Sequence, residues 1–234
     1  MSSCNRCGSK LEGENSMTFP KAENGIKKIY IAQFLTVIGA AIESVTAIYS
    51  IFSIFIFGND FETSPMIVSL TIAGLSLVSL SLMTIGFFLT LSGLFRAKAD
   101  DENFKVALYS TVFSIGIQLV GIIWSGYNEV ISITNLLTTV TSFLSSAYVI
   151  LGIRSLASKL DCTDIDEKGK KCYNFITVIF FLMTFSDVAI LIFNGTEWGE
   201  VVLYLKLTNG IISLVQFIVI MLYLKKSHKM LATH

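Results

Sequence analysis

The stretch that decides the fold is residues 173–194, which read YNFITVIFFLMTFSDVAILIFN. A helix needs about 20 predominantly apolar residues to cross the hydrocarbon core of a bilayer. This segment has that length and contains a single ionisable residue, Asp187. It therefore predicts a transmembrane helix that carries one carboxylate into the membrane.

The composition of the whole chain agrees with this segment. Of 234 residues, 53% are hydrophobic and only 15% are charged, and the mean hydropathy is +0.70. A soluble domain carries about 25% charged residues, and a disordered chain needs low hydrophobicity together with high net charge. The net charge of zero also excludes nucleic-acid binding by bulk electrostatics. We therefore expect an integral membrane protein whose main partner is the lipid bilayer.

Five further segments have the length and apolarity of a membrane span. We predict an all-α integral membrane protein with six transmembrane helices, and these cover residues 29–57, 65–95, 105–125, 129–153, 173–194 and 200–224. The transmembrane domain is then 29–225, preceded by a polar segment, 1–28, and followed by a tail, 226–234. The connection 156–171 is charged, and we interpret it as a solvated turn.

The positions of the basic residues predict the orientation. Cytoplasmic loops of membrane proteins carry an excess of Lys and Arg. All but one of the 17 Lys and Arg residues fall in the two termini or in the second and fourth connections, and the exception is Lys206. We therefore expect both termini in the cytoplasm and the protein in a plasma membrane of bacterial type.

An internal repeat is the next feature. Glu43, Gln118 and Asp187 lie 14 residues after Ile29, Phe104 and Tyr173, respectively, and each of these three residues stands where a basic segment ends. This register predicts three antiparallel αα-hairpins that enter and leave on the cytoplasmic side. The alternative is that any six-span chain with its basic residues on one side shows the same pattern.

Three ionisable residues lie at membrane depth: Glu43, Asp187 and Lys206. Each costs about 2.5–3.5 kcal/mol on insertion scales, so each needs a reason. Counting helical rise from the connection between the fifth and sixth spans places Asp187 and Lys206 level with each other, so an ion pair is allowed. Gln118 and Asn135 are level in the same way, and they allow a neutral hydrogen bond.

These residues have two interpretations. The functional interpretation is a proton or ion relay, or a polar substrate site, that uses Asp187, Lys206 and Glu43. The structural interpretation is interhelical contact, in which a paired charge joins the fifth and sixth helices. The alternative to the ion pair is that the Lys206 side chain extends to the membrane–water interface, which leaves Asp187 unpaired. Small residues on the second and fourth spans favour close helix packing.

The N-terminal segment contains a cysteine motif, Cys4-Asn-Arg-Cys7-Gly8-Ser-Lys-Leu11. Two thiolates on a tight turn are half of a zinc knuckle. This stretch resembles the first half of the short zinc ribbon at the N-terminus of many uncharacterised bacterial multi-pass membrane proteins, and the resemblance implies a structural zinc ion. A structural site needs four ligands, and no second C-x-x-C follows. The missing pair is either Cys162 and Cys172 or the same half-site of a second protomer, and the third alternative is no metal.

Two functions remain open at the level of the sequence. The first is a small-solute or ion transporter, or a channel-like protein, that uses Glu43 and Asp187. The second is a non-catalytic scaffold or regulatory subunit that oligomerises or binds a membrane partner through its helices and its Cys4–Cys7 motif. We do not expect an enzyme, because the chain has no P-loop and both histidines, His228 and His234, lie in the tail.

Overall fold

The computed structural model describes residues 18–57, 66–124, 128–193 and 199–233. These residues form six α-helices, and the prediction of an all-helical chain with six long apolar helices is confirmed. In chain order the helices are α1 (Pro20–Phe57), α2 (Met66–Ala97), α3 (Glu102–Ile123), α4 (Asn128–Lys159), α5 (Thr163–Phe193) and α6 (Gly199–Ala232).

All six helices are long and apolar enough to cross a membrane, by length and composition. Large apolar side chains cover their outer surfaces and are left uncovered by the chain itself, such as Phe185 at 78% exposure and Leu70 at 70%. Contiguous apolar surface of this extent marks an interface with lipid or protein rather than with water. The fold is thus a multi-pass helical bundle suited to contact with a lipid bilayer.

Several helices extend beyond the predicted spans. α1 begins at Pro20, α5 begins at Thr163, and α6 continues to Ala232. The interpretation of 156–171 as a turn is therefore wrong for most of its length, because α4 continues to Lys159 and α5 follows after three residues. The tight connection depends on Asp161, whose φ of 53° lies in the left-handed region that Asp tolerates better than most residues.

Each helix packs against the next one along the chain, and α6 packs against α1, so the six helices follow a cyclic order. The α1–α2 interface is the most extensive of these and the α2–α3 interface the least. Residues later in α1 contact residues earlier in α2, and residues earlier in α1 contact residues later in α2, so the two helices are antiparallel. The Ser79 hydroxyl donates to the Gly39 carbonyl over 2.9 Å, while Gly93 lies against Gly25.

Glycines allow the backbones of α1 and α2 to approach each other closely. A Cβ atom at position 25 would lie 2.6 Å from the Gly93 carbonyl oxygen, and a Cβ atom at position 93 would lie 2.6 Å from the Gly25 carbonyl oxygen. Gly86 approaches the Ala32 carbonyl at the same interface. Small residues make such contacts in membrane proteins because packing, rather than hydrophobic exclusion, joins helices in lipid. The small-residue stripe of the second span therefore serves helix packing between residues 79 and 93.

The core lies at one end of the bundle, which we call the basal end. It holds the first turns of α1, α3 and α5 and the last turns of α2, α4 and α6. All six helices contribute fully buried apolar side chains here, for example Ile26, Leu94, Phe104, Ile153, Ile176 and Leu224. The opposite end, which we call the distal end, has no comparable apolar cluster among the described residues.

Two adjacent carboxylates in the α2–α3 turn join helices at the basal end. Asp100 accepts a hydrogen bond of 2.6 Å from the backbone N–H of Ala22, in the first turn of α1. Asp101 is the N-cap of α3 and accepts from the Asn103 backbone N–H over 3.0 Å. Its other oxygen accepts from the Ser155 hydroxyl over 2.6 Å and from Lys159 over 3.3 Å, both on α4. The turn thus contacts three helices besides α2.

We predict that Gly25→Ala lowers the free energy of unfolding by about 1–3 kcal/mol, the usual cost of overpacking. The added methyl group would meet the Gly93 backbone, which has no flexible side chain to move aside. Gly74→Ala in α2 is the matched control, because nothing lies within 4 Å of its Cβ position. Thermal unfolding of both variants in detergent measures the difference, and equal midpoints would contradict the close α1–α2 contact.

A second prediction concerns Asp101 and acid. Partial burial acts to raise the pKa of Asp101, but hydrogen bonds from Ser155, Asn103 and Lys159 outweigh burial, so the pKa lies below its ordinary value of 3.8. Its ionised form therefore favours folding. This contribution is complete above the unfolded pKa and is lost as the pH falls through the lower folded pKa.

Asp101→Ala should therefore lower stability by about 1 kcal/mol at neutral pH, the usual value of an N-cap. The difference from the wild type should shrink below about pH 4. Glu102→Gln is the control. Glu102 is the neighbouring acid and is exposed, so its replacement should change stability less. Unfolding midpoints measured between neutral pH and acid test this, and a pH-independent difference would argue against an ionised cap.

Candidate functional site

Three cavities meet on one face of α4, between the basal core and the distal end. The Asp187 cavity, of about 440 Å³, is lined by Ser132, Asn135, Thr138, Thr139, Met183, Asp187, Ile190, Lys206 and Asn209. The Gln118 cavity, of about 390 Å³, lies between α3 and α4. The Gln216 cavity, of about 190 Å³, lies between α4, α5 and α6. Thr138 lines all three, so they adjoin one another at that residue.

The cavities follow α4 from the distal end towards the base. The Gln118 and Asp187 cavities are lined by α4 residues between Ile131 and Thr139. The Gln216 cavity begins at Thr138 and reaches Phe143. The Phe143 ring stacks on the Phe180 ring of α5, with centroids 4.3 Å apart. Beyond this stacked pair lie the buried residues of the basal core, such as Ile150.

Helix α4 has two uncovered faces of opposite character. Ile133, Leu137 and Leu144 are exposed on one face. Asn135 and Ser142 are exposed on another, and both line the cavities. A helix with 3.6 residues per turn places 133, 137 and 144 on a side well separated from 135, 138 and 142. The apolar face suits lipid, and the polar face borders the space between the helices.

Asp187 is the most buried charged group of this region, with 9% of its surface exposed. One carboxylate oxygen accepts from the Thr139 hydroxyl of α4 over 2.7 Å. The other accepts from the Asn209 amide of α6 over 2.9 Å. The carboxylate therefore joins α4, α5 and α6, and each of its oxygens has one donor from the protein. A carboxylate offers about four acceptor positions, so capacity for a further donor remains.

Lys206 lines the same cavity as Asp187 but does not pair with it. Its side chain is exposed, and none of the ion pairs among the described residues includes it. Asp187 and Lys206 therefore do not form the ion pair that their equal depth allowed. Asp187 instead accepts hydrogen bonds from Thr139 and Asn209. The cavity holds two opposite charges that do not neutralise each other through direct contact.

Gln118 and Asn135 lie together on the Gln118 cavity. Both side chains are exposed, and no hydrogen bond joins them among the described residues. Their amide groups therefore face the cavity rather than each other. Asn135 also lines the Asp187 cavity, so it borders both spaces.

Glu43 lies apart from these cavities. It is an exposed residue of α1, and it lines none of the three. The large exposed apolar residues of α1, including Phe34, Val45 and Ile48, fall on the opposite side of the helix at 3.6 residues per turn. Glu43 thus points away from the apolar face of its helix, without joining Asp187 and Lys206.

The cysteine residues are not brought into a metal site within the described ranges. Cys162 and Cys172 are both buried and unbridged, and no group of three or more potential metal ligands occurs among the residues described. Cys4 and Cys7 lie outside those residues. The half zinc-ribbon interpretation and the alternatives for its completion therefore stay predictions.

Sequence reasoning missed both donors to Asp187. Thr139 comes from α4 and Asn209 from α6, and each depends on how the helices are rotated about their axes. Asn209 could have been identified from the sequence, since it is a polar amide at membrane depth three residues from Lys206. Thr139 could not, because it is one of many hydroxyl residues on a hydroxyl-rich helix.

No protein-family model, curated protein or solved structure matches this chain.

We predict that Thr139→Val lowers the free energy of unfolding by about 1–3 kcal/mol, because a buried charge would lose a donor. Thr84→Val is the matched control, since the Thr84 hydroxyl is exposed and bonds only the Leu80 carbonyl of its own helix. The control should change stability by less than about 0.5 kcal/mol. Thermal unfolding in detergent compares the two, and equal effects would contradict the contribution of the Thr139–Asp187 bond.

Proposed function

We propose that the chain is a membrane transport protein that binds a small polar solute in the Asp187 cavity. The observation that carries the proposal is a buried carboxylate on the wall of a cavity rich in amides and hydroxyls, between helices whose outer faces suit lipid. Ionisable groups inside a membrane bundle typically mark a solute or ion pathway. The cavity volume also falls within the range of small-molecule sites, about 300–1,000 Å³.

The closed base favours a transporter over an open channel. The Phe143–Phe180 pair and the apolar basal core separate the cavities from the basal end. A solute that enters from the distal end therefore has to wait for the basal contacts to rearrange. A solute site above a closed base is the arrangement expected of alternating access around a central site.

The orientation belongs to the same proposal. The basal end carries the concentration of Lys and Arg, so we infer that it faces the cytoplasm of a plasma membrane, with both termini on that side. The distal end and its cavities then open outward. The pairs α1–α2, α3–α4 and α5–α6 form three antiparallel αα-hairpins in this proposal, and the opposed contacts within each pair support it. The helix pair α3–α4, for example, brings Thr111 to Ser145 and Gly121 to Thr134.

Asp187, rather than Glu43, is the solute-binding carboxylate in this proposal. Asp187 lines a cavity together with Lys206 and Asn209, and Glu43 lines none of the three cavities.

The scaffold alternative requires a bundle without a water-accessible interior. Under either function, the Cys4–Cys7 motif would join two protomers through a shared zinc ion.

Cysteine labelling distinguishes transport from scaffolding. In a background with Cys4 and Cys7 replaced by Ser, we expect Asn135→Cys and Ser142→Cys to react with a membrane-impermeant thiol reagent added from the distal side. Leu137→Cys and Leu144→Cys are the matched controls, since they lie on the apolar face of the same helix and should stay unlabelled. The parent chain supplies the blank, because Cys162 and Cys172 are buried.

The same variants in inverted vesicles test alternating access. A transporter opens its base during its cycle, so Asn135→Cys should also react, more slowly, with reagent added from the basal side. Labelling from neither side would contradict the proposed function and favour the scaffold. Labelling from the distal side alone would contradict transport.

A further inference from the structure

An acidic and a basic side chain, Asp187 and Lys206, line one small cavity without forming an ion pair with each other. We propose that the Asp187 cavity binds a zwitterionic solute of the amino-acid class, with its ammonium group at Asp187 and its carboxylate at Lys206. The inference rests on the proposed function and names the class of solute.

The Asp187 side of the cavity offers acceptors. Each Asp187 oxygen already accepts one hydrogen bond from the protein and retains a free acceptor position. The amide oxygen of Asn209 is buried and has no partner among the described residues. An ammonium group has three donors and no acceptor. It can therefore satisfy Asp187 and the Asn209 oxygen together, and the ammonium group already present on the described lining, Lys206, is not paired with Asp187.

The Lys206 side offers donors. Its ammonium group has three N–H donors and needs acceptors, and the described ion pairs leave it unpaired. Lys206 lies three residues before Asn209 on α6, towards the distal end. At 1.5 Å per residue this is an axial offset of roughly 4.5 Å. A solute with its two charges a few ångströms apart can reach both groups, with its carboxylate towards the entrance.

The remaining lining is consistent with a small aliphatic body. Met183 and Ile190 supply apolar surface, while Thr138 and Asn135 supply polar contacts. An inorganic cation alone would meet the repulsion of Lys206, and an inorganic anion alone would meet that of Asp187. A zwitterion places an opposite charge at each of the two groups.

The test uses the full chain purified in detergent. The twenty protein amino acids are screened by the shift they cause in the thermal unfolding midpoint, and the one with the largest shift is titrated by calorimetry. It is then compared with the amine that lacks its carboxylate and with the acid that lacks its amino group. We expect each of these two congeners to bind at least tenfold more weakly than the amino acid.

Two variants assign the charges. Lys206→Met should reduce the affinity for the amino acid at least tenfold, and it should raise rather than lower the affinity for the amine, because the amine no longer meets a like charge. Asp187→Asn should reduce the affinity for the amino acid at least tenfold. Glu43→Gln is the matched control, because it removes a carboxylate from another helix that does not line the cavity, and affinity should not change. If Asp187→Asn folds poorly, Lys206→Met still tests the assignment, because Lys206 is exposed and its replacement leaves the buried contacts in place.

The outcomes separate this inference from the function on which it rests. If the amine binds as tightly as the amino acid, Lys206 takes no part and the zwitterion assignment is overturned. If no amino acid shifts the midpoint while Asn135→Cys is labelled from both sides, the solute class is wrong and the transport proposal stands. If Asn135→Cys is not labelled from either side, the proposed function itself has failed.

Discussion

The six helices are held together at one end. Apolar residues from all of them are buried in the basal core, and part of that core, including Ala22, Leu156 and Ile165, lies outside the predicted membrane spans. Within lipid, hydrophobic exclusion does not join helices, because the lipid tails are as apolar as the side chains. Outside the hydrocarbon, burial of apolar surface drives association as it does in a soluble protein. The basal core thus joins all six helices, while the distal end has no comparable apolar cluster among the described residues.

This division explains where the polar cavities occur. The interior near the distal end contains hydroxyls, amides and one buried carboxylate, and it leaves space between α3, α4, α5 and α6. Asp187 needs donors at this depth because an unsatisfied charge in a low-dielectric interior is costly. Thr139 and Asn209 provide them from two neighbouring helices. A polar contact thus joins three helices in a region where the described residues form no apolar cluster.

The sequence alone predicted most of the fold and the residues around which the site is built. Long apolar segments are recognisable by themselves, so the six helices were found. Their extensions beyond the predicted spans were not, because the segments around Pro20 and Thr163 are polar and pack through Ala22 and Ile165 into the basal core. Depth can be counted along a helix, so Asp187 and Lys206 were placed near each other. Rotation about the helix axis cannot be counted in this way, and the donors to Asp187 and the separate position of Glu43 depend on rotation.

The adjacent carboxylates Asp100 and Asp101 have a mechanical consequence. They are consecutive residues of one short turn, yet one is bonded to the start of α1 and the other to the start of α3 and the end of α4. No flexible linker separates the two attachments, so a displacement of α1 at the base is transmitted directly to α3 and α4. The bases of α1, α3 and α4 are therefore coupled through two consecutive residues, and a rearrangement of this end would have to move these three helices together.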